Sequence, residues 1–338
     1  MKTKKPKLIL FGGNRKNEDG PLLELALKIK DKFDVMVFTD QFRINLPTKN
    51  GEIFSKRLNK NKIKWKLLKK FDHKIITKYI DNSTIGISIG SLWFFKQNII
   101  DEFKGNLFNY HNTRLPIERG VSAYTWKILS NNRDGGITLH KIEEELDVGD
   151  IVAQKQFRFP EKCLIQKQYY EFISQIEVKF IIDFLLTGMK KKPIKQKEDE
   201  STYWPKLDTN LHGFINWDWD AKDIETFVHA FDEPHQGAIT FYDEKKVHLK
   251  NCRYKKEKLK FHPFQNGLIF RILKGKIHVV AKHGSIILTK VLDEKNNDIT
   301  KNIKLGHRFF TPISFLEKAM VTRVSYKDEE KKYSKKIN

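Results

Sequence analysis

Residues 7–11, a lysine followed by Leu-Ile-Leu-Phe, run into Gly12-Gly13. PLLELALKIKDKF then carries apolar residues at helical spacing, before the strand-like DVMVFTD of residues 34–40. An apolar run, a tight turn, an amphipathic helix and a second apolar run argue for parallel strands joined by a crossover helix. This opening predicts an α/β fold built on a Rossmann-like parallel sheet. Gly12-Gly13 lacks the GxGxxG spacing, so the dinucleotide fingerprint is absent. A glycine-bearing turn beside a phosphorylated ligand stays open.

Further strands are predicted at TIGISIGS (84–91) and NLFNYH (106–111), separated by a loop and short helix over residues 92–103. Residues 55–80 are lysine-rich with mixed helical periodicity, and SAYTWKILSN (122–131) reads as a helix. Residues 135–160 alternate twice, around a turn at Asp147-Val148-Gly149, and 166–188 reads as one long amphipathic helix closed by Gly188. The charged, proline-bearing stretch 190–205 is a linker candidate. Beyond it lie a helix (220–231) and five short, evenly spaced β-runs, a pattern that suits a smaller β-rich, barrel-like domain. The predicted organisation is a first domain over 1–189, a linker over 190–205, a β-rich domain over 206–326 and a basic tail over 327–338. A chain of 338 residues is comfortable for two domains that each bury a core.

No apolar run approaches the roughly 18 residues a membrane helix needs. The basic N-terminus carries too short an apolar run for a signal peptide and no small-residue cleavage site, so no membrane is expected. With only Cys163 and Cys252, neither a disulfide framework nor a cysteine metal quartet is available, and a reducing cytoplasm is the expected compartment. The net charge of +22 favours polyanionic company or reflects a lysine-rich composition.

Asn109 and His111 are two apart at the end of a predicted strand, so they share one face. Asp147 lies in the turn of Glu145-Leu146-Asp147-Val148-Gly149-Asp150, which is expected to cross the same C-terminal sheet edge. An amide can steady an oxyanion, an imidazole can move a proton, and a carboxylate can orient and charge-tune that imidazole. These three groups suit acyl transfer to an amine. Taken singly, the histidine reads as a structural residue and the aspartate as turn chemistry.

The pattern Asn109-x-His111 with Leu115, Pro116, Arg119 and Gly120 resembles the signature of the folate-dependent formyltransferases. Gly136-Ile137-Thr138-Leu139-His140 and Asp147-Val148-Gly149-Asp150-Ile151 continue the likeness, as do Asn216-Trp217 and Gly237-Ala238 with Thr240 in the C-terminal half. The resemblance implies formyl transfer from N10-formyltetrahydrofolate, acting as co-substrate, to a primary amine without a metal. Asn109 would hold the formyl oxygen, His111 would take the amine proton, and Asp147 would orient His111. The resemblance further implies a pterin cleft between Trp93, Phe94 and Phe95 on one side and Ile142, Glu144 and Leu146 on the other. The three aromatics also read as plain core. A homodimer is the family-based expectation.

Asn112-Thr113-Arg114 stands where methionyl-tRNA and glycinamide-ribonucleotide enzymes usually carry Ser-Leu-Leu. With Tyr124 and Trp126, this looks more like the N-formyltransferases of nucleotide-linked amino sugars. The implied acceptor is a dTDP- or UDP-linked 3- or 4-amino-deoxyhexose destined for surface polysaccharide such as O-antigen. The implied substrate contacts are Arg114, Arg119 and Tyr124. Arg114 also reads as a solvated loop residue, and Tyr124 and Trp126 as core. Methionyl-tRNA formyltransferase is the alternative, and otherwise no nucleic-acid partner is expected.

Overall fold

The computed structural model describes residues 5–15, 18–187, 189 and 192–324. Gly188, the start of the predicted linker and the basic tail 327–338 lie outside the described residues. Along the chain come β1 (Lys7–Gly12), β2 (Asp34–Thr39), β3 (Lys64–Leu67), β4 (Ile85–Ile89), β5 (Leu107–His111), the two-residue β6 (Arg119–Gly120), β7 (Asp134–Lys141) and β8 (Ile151–Arg158). All but β6 join one sheet, in the order β3-β2-β1-β4-β5-β7-β8. The first five strands are parallel, as the opening pattern predicts. β7 and β8 form an antiparallel hairpin, joined by a short loop with no crossover helix, and β7 pairs antiparallel with β5.

The helices that follow these strands are α1 (Pro21–Ile29), α2 (Phe54–Lys60), α3 (His73–Ile76), α4 (Gln97–Glu102), α5 (Ala123–Leu129), α6 (Gln166–Ser174) and α7 (Glu177–Thr187). β1 is buried on both faces, which is why it reads as an unbroken apolar run. Leu8 and Leu10 face one cluster with Leu22, Leu25 and Ile181, while Ile9 and Phe11 face another with Phe38, Phe95 and Phe103. Phe11 is fully buried, its ring 5.0 Å from Phe95 and 5.6 Å from Phe38. Phe11→Ala is expected to destabilise the fold by about 3–5 kcal/mol, seen as a lower denaturant midpoint.

Two local expectations change. The lysine-rich stretch 55–80 contains the edge strand β3, whose lysines stay exposed while Trp65 and Leu67 are half-buried. Lys-Trp-Lys-Leu hides its strand character because its outward face is charged. The helix expected over 166–188 is two helices, since Gln175 and Ile176 close α6 with i→i+3 bonds to Phe172 and Ile173. The break falls directly before Glu177, whose buried carboxylate accepts from Tyr110 Oη at 2.9 Å and faces Arg15 at 3.5 Å. Gly12 and Gly13 are set by close packing. A Cβ on Gly12 would meet the Ile89 carbonyl at 2.2 Å, and one on Gly13 the Arg43 side chain at 2.4 Å.

The C-terminal half holds β9 (Tyr203–Trp204), α8 (Thr209–His212), α9 (Ala221–Ala230), β10 (Ala238–Tyr242), β11 (Lys245–Lys255), β12 (Ile269–Leu273), β13 (Lys276–Ala281), β14 (Gly284–Asp293), β15 (Phe309–Phe310) and α10 (Ile313–Val321). β10 to β15 form an antiparallel sheet in the order β12-β13-β14-β11-β10-β15. Its edges curl together: Ile269 N–H donates to His307 O and Phe309 N–H to Gly267 O, both at 2.9 Å. The expected barrel-like sheet is present. α9 packs its buried Ile224, Phe227 and Val228 into the same cluster that lines α1 and α7, so one core runs through both sheets.

The stretch expected as a linker lies against the first sheet along its described part. Ile194 exchanges both backbone hydrogen bonds with Ile151 at 2.8 Å, and β9 pairs with β6. Gly120, at φ +99°, is needed there, because a Cβ would stand 2.2 Å from the Trp204 carbonyl. Trp126 donates from Nε1 to Pro205 O at 2.8 Å and packs on Trp204, so its ring belongs to this junction. Among the described residues, no helix is long and apolar enough to cross a membrane.

Candidate active site

β5 alternates between two environments. Phe108 and Tyr110 lie in the core with α7, leaving Asn109 and His111 on the opposite face. β7 pairs with β5 so that His140 stands directly across from Asn109. His140 is almost fully buried, and its Nδ1–H donates to the Lys141 carbonyl at 2.7 Å. Its Nε2 therefore accepts from Asn109 Nδ2 at 3.1 Å. One N–H of the Asn109 amide is thus fixed, and the other remains for an oxygen in the cleft.

His111 is buried and oriented by the loop that follows it. Its Nε2 donates to the Glu118 carbonyl at 2.8 Å, which also accepts from Thr113 Oγ1 at 2.7 Å. The neutral ring then keeps its lone pair on Nδ1. That nitrogen faces Asp147 Oδ1 at 3.7 Å, too long for a hydrogen bond but close enough for a protonated ring to gain from the carboxylate.

Asp147 meets His111 by a different route from the one its sequence position predicts. Because β7 runs antiparallel to β5, its connecting loop leaves at the start of β5, where Ile142 N–H donates to Leu107 O at 3.0 Å. The loop folds back over the sheet to bring Asp147 Oδ1 within 3.5 Å of His140 Nε2 and Asp147 Oδ2 within 3.0 Å of the Gly120 N–H. Asp147 adopts φ 59°, the left-handed region that non-glycine residues enter at a cost. Burial opposes its ionisation, yet the His111 and His140 rings, once protonated, and the Gly120 N–H outweigh it and hold the carboxyl well below its ordinary range.

These groups line a cleft that opens to solvent. Trp93, Phe94, Phe95, Ile142, Glu144 and Leu146 line it, together with Tyr124, Tyr170, Ser122 and Asn112. The aromatics are core and cleft lining at once. Phe95 is core, its ring 5.0 Å from Phe11, while its cleft face and the half-buried Trp93 stay available. Leu146 is 39% exposed, an apolar side chain presented to the cleft. Glu144 accepts from the Gln97 N–H at 2.8 Å, tying the loop to the start of α4. Among the described residues, no three His, Cys, Asp or Glu side chains gather as a metal site.

The structure does not bring Arg114 and Arg119 to the cleft. Arg114 is committed to Glu118 at 3.5 Å and Asp134 at 3.8 Å, and neither arginine lines the cavity. Arg119 is buried, donates to Gln196 Oε1 from Nε and Nη2, and grips Glu198 with both terminal nitrogens at 2.8 and 2.7 Å. The resemblance implies substrate contacts for both, and their acidic partners are invisible at sequence level. Tyr124 does line the cleft, although it is only 2% exposed and its hydroxyl donates to Asn112 O at 3.3 Å. His140 and Glu118 are site residues that the sequence reading does not name as such. The first could have been found from its place at the end of the Gly-Ile-Thr-Leu-His strand.

Residues 57–185 match the family model described as formyl transferase, and residues 209–303 match that of the formyl transferase C-terminal domain. The methionyl-tRNA formyltransferase of Clostridium tetani is 27% identical over 198 residues, covering 58% of this chain and 62% of its own length. The chain thus spans under two thirds of that relative. Among solved structures, the N-formyltransferase from Helicobacter canadensis, in complex with folinic acid and dTDP-3-aminofucose, superposes with TM-score 0.62 at 19% identity, over 84% of this chain and 98% of that one. WlaRD, a sugar 3N-formyl transferase solved with dTDP and 5-N-formyl-THF, gives TM-score 0.60 at 21% identity, over 83% and 97%.

Proposed function

We propose that this chain, which belongs to the formyl transferase family, moves a formyl group from N10-formyltetrahydrofolate to the amine of a nucleotide-linked amino-deoxyhexose. The observation that carries the reading is the meeting of the Asn109 amide, the His111 imidazole and the Asp147 carboxylate at one point of one cleft. The folate co-substrate would lie between the Trp93–Phe95 wall and the Ile142–Leu146 loop, where apolar faces suit a pterin. The acceptor would enter beside Tyr124, Tyr170, Ser122 and Asn112.

In this mechanism the neutral amine attacks the formyl carbon, and the carbonyl electrons move to oxygen. The free N–H of Asn109 donates to that oxyanion, already aimed because His140 holds its sibling proton. His111 Nδ1 takes the proton released by the amine, and the imidazolium so formed is stabilised by ionised Asp147. Collapse of the tetrahedral intermediate breaks its bond to N10, which takes up a proton and leaves as tetrahydrofolate.

A sugar acceptor is supported by the two tyrosines that line the cleft and by the sugar enzymes whose nearly full length this fold follows. Formyl transfer to methionyl-tRNA is the second reading, favoured by the Clostridium tetani relative and compatible with a net charge of +22. Incubation with N10-formyltetrahydrofolate and a panel of dTDP- and UDP-amino sugars, beside methionyl-tRNA, separates them. Tetrahydrofolate release with an amino sugar and none with tRNA is expected; release with tRNA alone overturns the sugar assignment. The cytoplasm, a homodimer and a role in O-antigen synthesis follow from the same reading.

A further inference from the structure

We infer that Gln196, in the connector between the two sheets, is a positioning residue for Asp147, a role that rests on the formyl transfer proposed above. Gln196 is only 6% exposed although its neighbours in sequence are mostly charged. Its Nε2 donates to the Asp147 carbonyl at 2.7 Å and to the Gly149 carbonyl at 2.8 Å. Its Oε1 accepts from Arg119 Nε at 3.2 Å and Nη2 at 3.0 Å. Two donors and two acceptor sites are the full capacity of a glutamine side chain, and all are used.

The arrangement has one mechanical consequence. Asp147 sits in a left-handed backbone conformation, so its loop needs partners that hold it there. Gln196 supplies them on the backbone side, while the Gly120 N–H holds the carboxylate. Arg119 and Gly120 are adjacent, so the same short strand that anchors Gln196 also presents the N–H to Asp147. The ring closes from Asp147 through Gln196, Arg119 and Gly120 back to Asp147. The connector is locked onto it from outside by the paired Arg119–Glu198 contact and by the Ile194–Ile151 bridge two residues before Gln196. Removing the Gln196 amide leaves two buried carbonyls without their donor, and the loop relieves this by shifting, carrying the carboxylate from His111.

The test uses the full chain with Gln196→Leu and the gentler Gln196→Glu, which keeps an acceptor for Arg119 but has no hydrogens for the two carbonyls. Both are expected to lower kcat for formyl transfer by about 10- to 100-fold, the cost of a misplaced group, while KM for N10-formyltetrahydrofolate changes by less than about threefold. In an Asp147→Asn background the Gln196→Leu effect should shrink to under about threefold, because the two residues act through one element. Hydrogen exchange should quicken at the Gly120 amide and across residues 145–150 in both variants, with β1 and β4 unchanged. An unaltered kcat, or the same fold loss in both backgrounds, overturns the inference; so does unchanged exchange. If the wild-type protein turns over no acceptor, the formyl-transfer reading fails instead, and the exchange experiment still decides whether Gln196 holds the loop.

Discussion

His111→Ala is expected to lower kcat for formyl transfer by about 10²–10⁴-fold, the usual worth of a positioned general base, with KM for the folate co-substrate little changed. The reason lies in the ring's two nitrogens. Nε2 is occupied by the Glu118 carbonyl, so the only basic site of the neutral ring is Nδ1, which faces the cleft beside Asp147. Alanine removes that base and leaves Asn109 and the cleft walls in place. The fold should survive, because the Glu118 carbonyl keeps the Thr113 hydroxyl as a donor. Tetrahydrofolate release under saturating substrates measures the loss, and a thermal melt confirms the fold. A turnover within tenfold of wild type would remove His111 from the chemistry.

Asp147→Asn is the second large effect, expected at about 10²–10³-fold in kcat, since an amide keeps the shape but lends no charge to a protonated His111. The same variant carries a stability signature. The Asp147 carboxyl is depressed below its ordinary value of 3.8: burial works against this, and the two histidine rings, once protonated, and the Gly120 N–H overcome it. A depressed acid contributes stability that is complete above the unfolded value and fades as pH falls towards the folded one. The stability gap between wild type and Asp147→Asn should therefore be full at pH 7 and narrow on acidification below about pH 4. Urea denaturation at several pH values reads this. A gap that widens on acidification would contradict the ionised, partner-stabilised carboxylate.

Much of the site was legible because its parts are local. Asn109 and His111 share a face through strand geometry alone, whereas the Trp93–Phe95 and Ile142–Leu146 segments are reached only through the family resemblance. The two arginines are harder, since each reads as a surface or ligand-facing residue until its partner is known, and the core reading of Trp126 does not name the junction it joins. Trp126 packs on Trp204, Arg114 on Glu118 and Arg119 on Glu198, partners that sequence distance separates or leaves unmarked. Gln196 gave no signal at all. A glutamine among lysines and acids reads as solvated, and only its burial beneath the Asp147 loop separates it from its neighbours.

The sequence by itself determined the parallel α/β opening, the barrel-like C-terminal sheet and the pairing of amide with imidazole, because periodicity and glycine turns act over a few residues. Only the tertiary structure decided that β7 turns back against β5, so that the Asp147 loop approaches His111 over the sheet face. It alone decided that the connector closes that loop and that two candidate ligand arginines serve as struts. These outcomes depend on which distant carbonyl or carboxylate a buried donor reaches. Hydrogen bonding demands that such partners exist, but chain packing over long separations selects them.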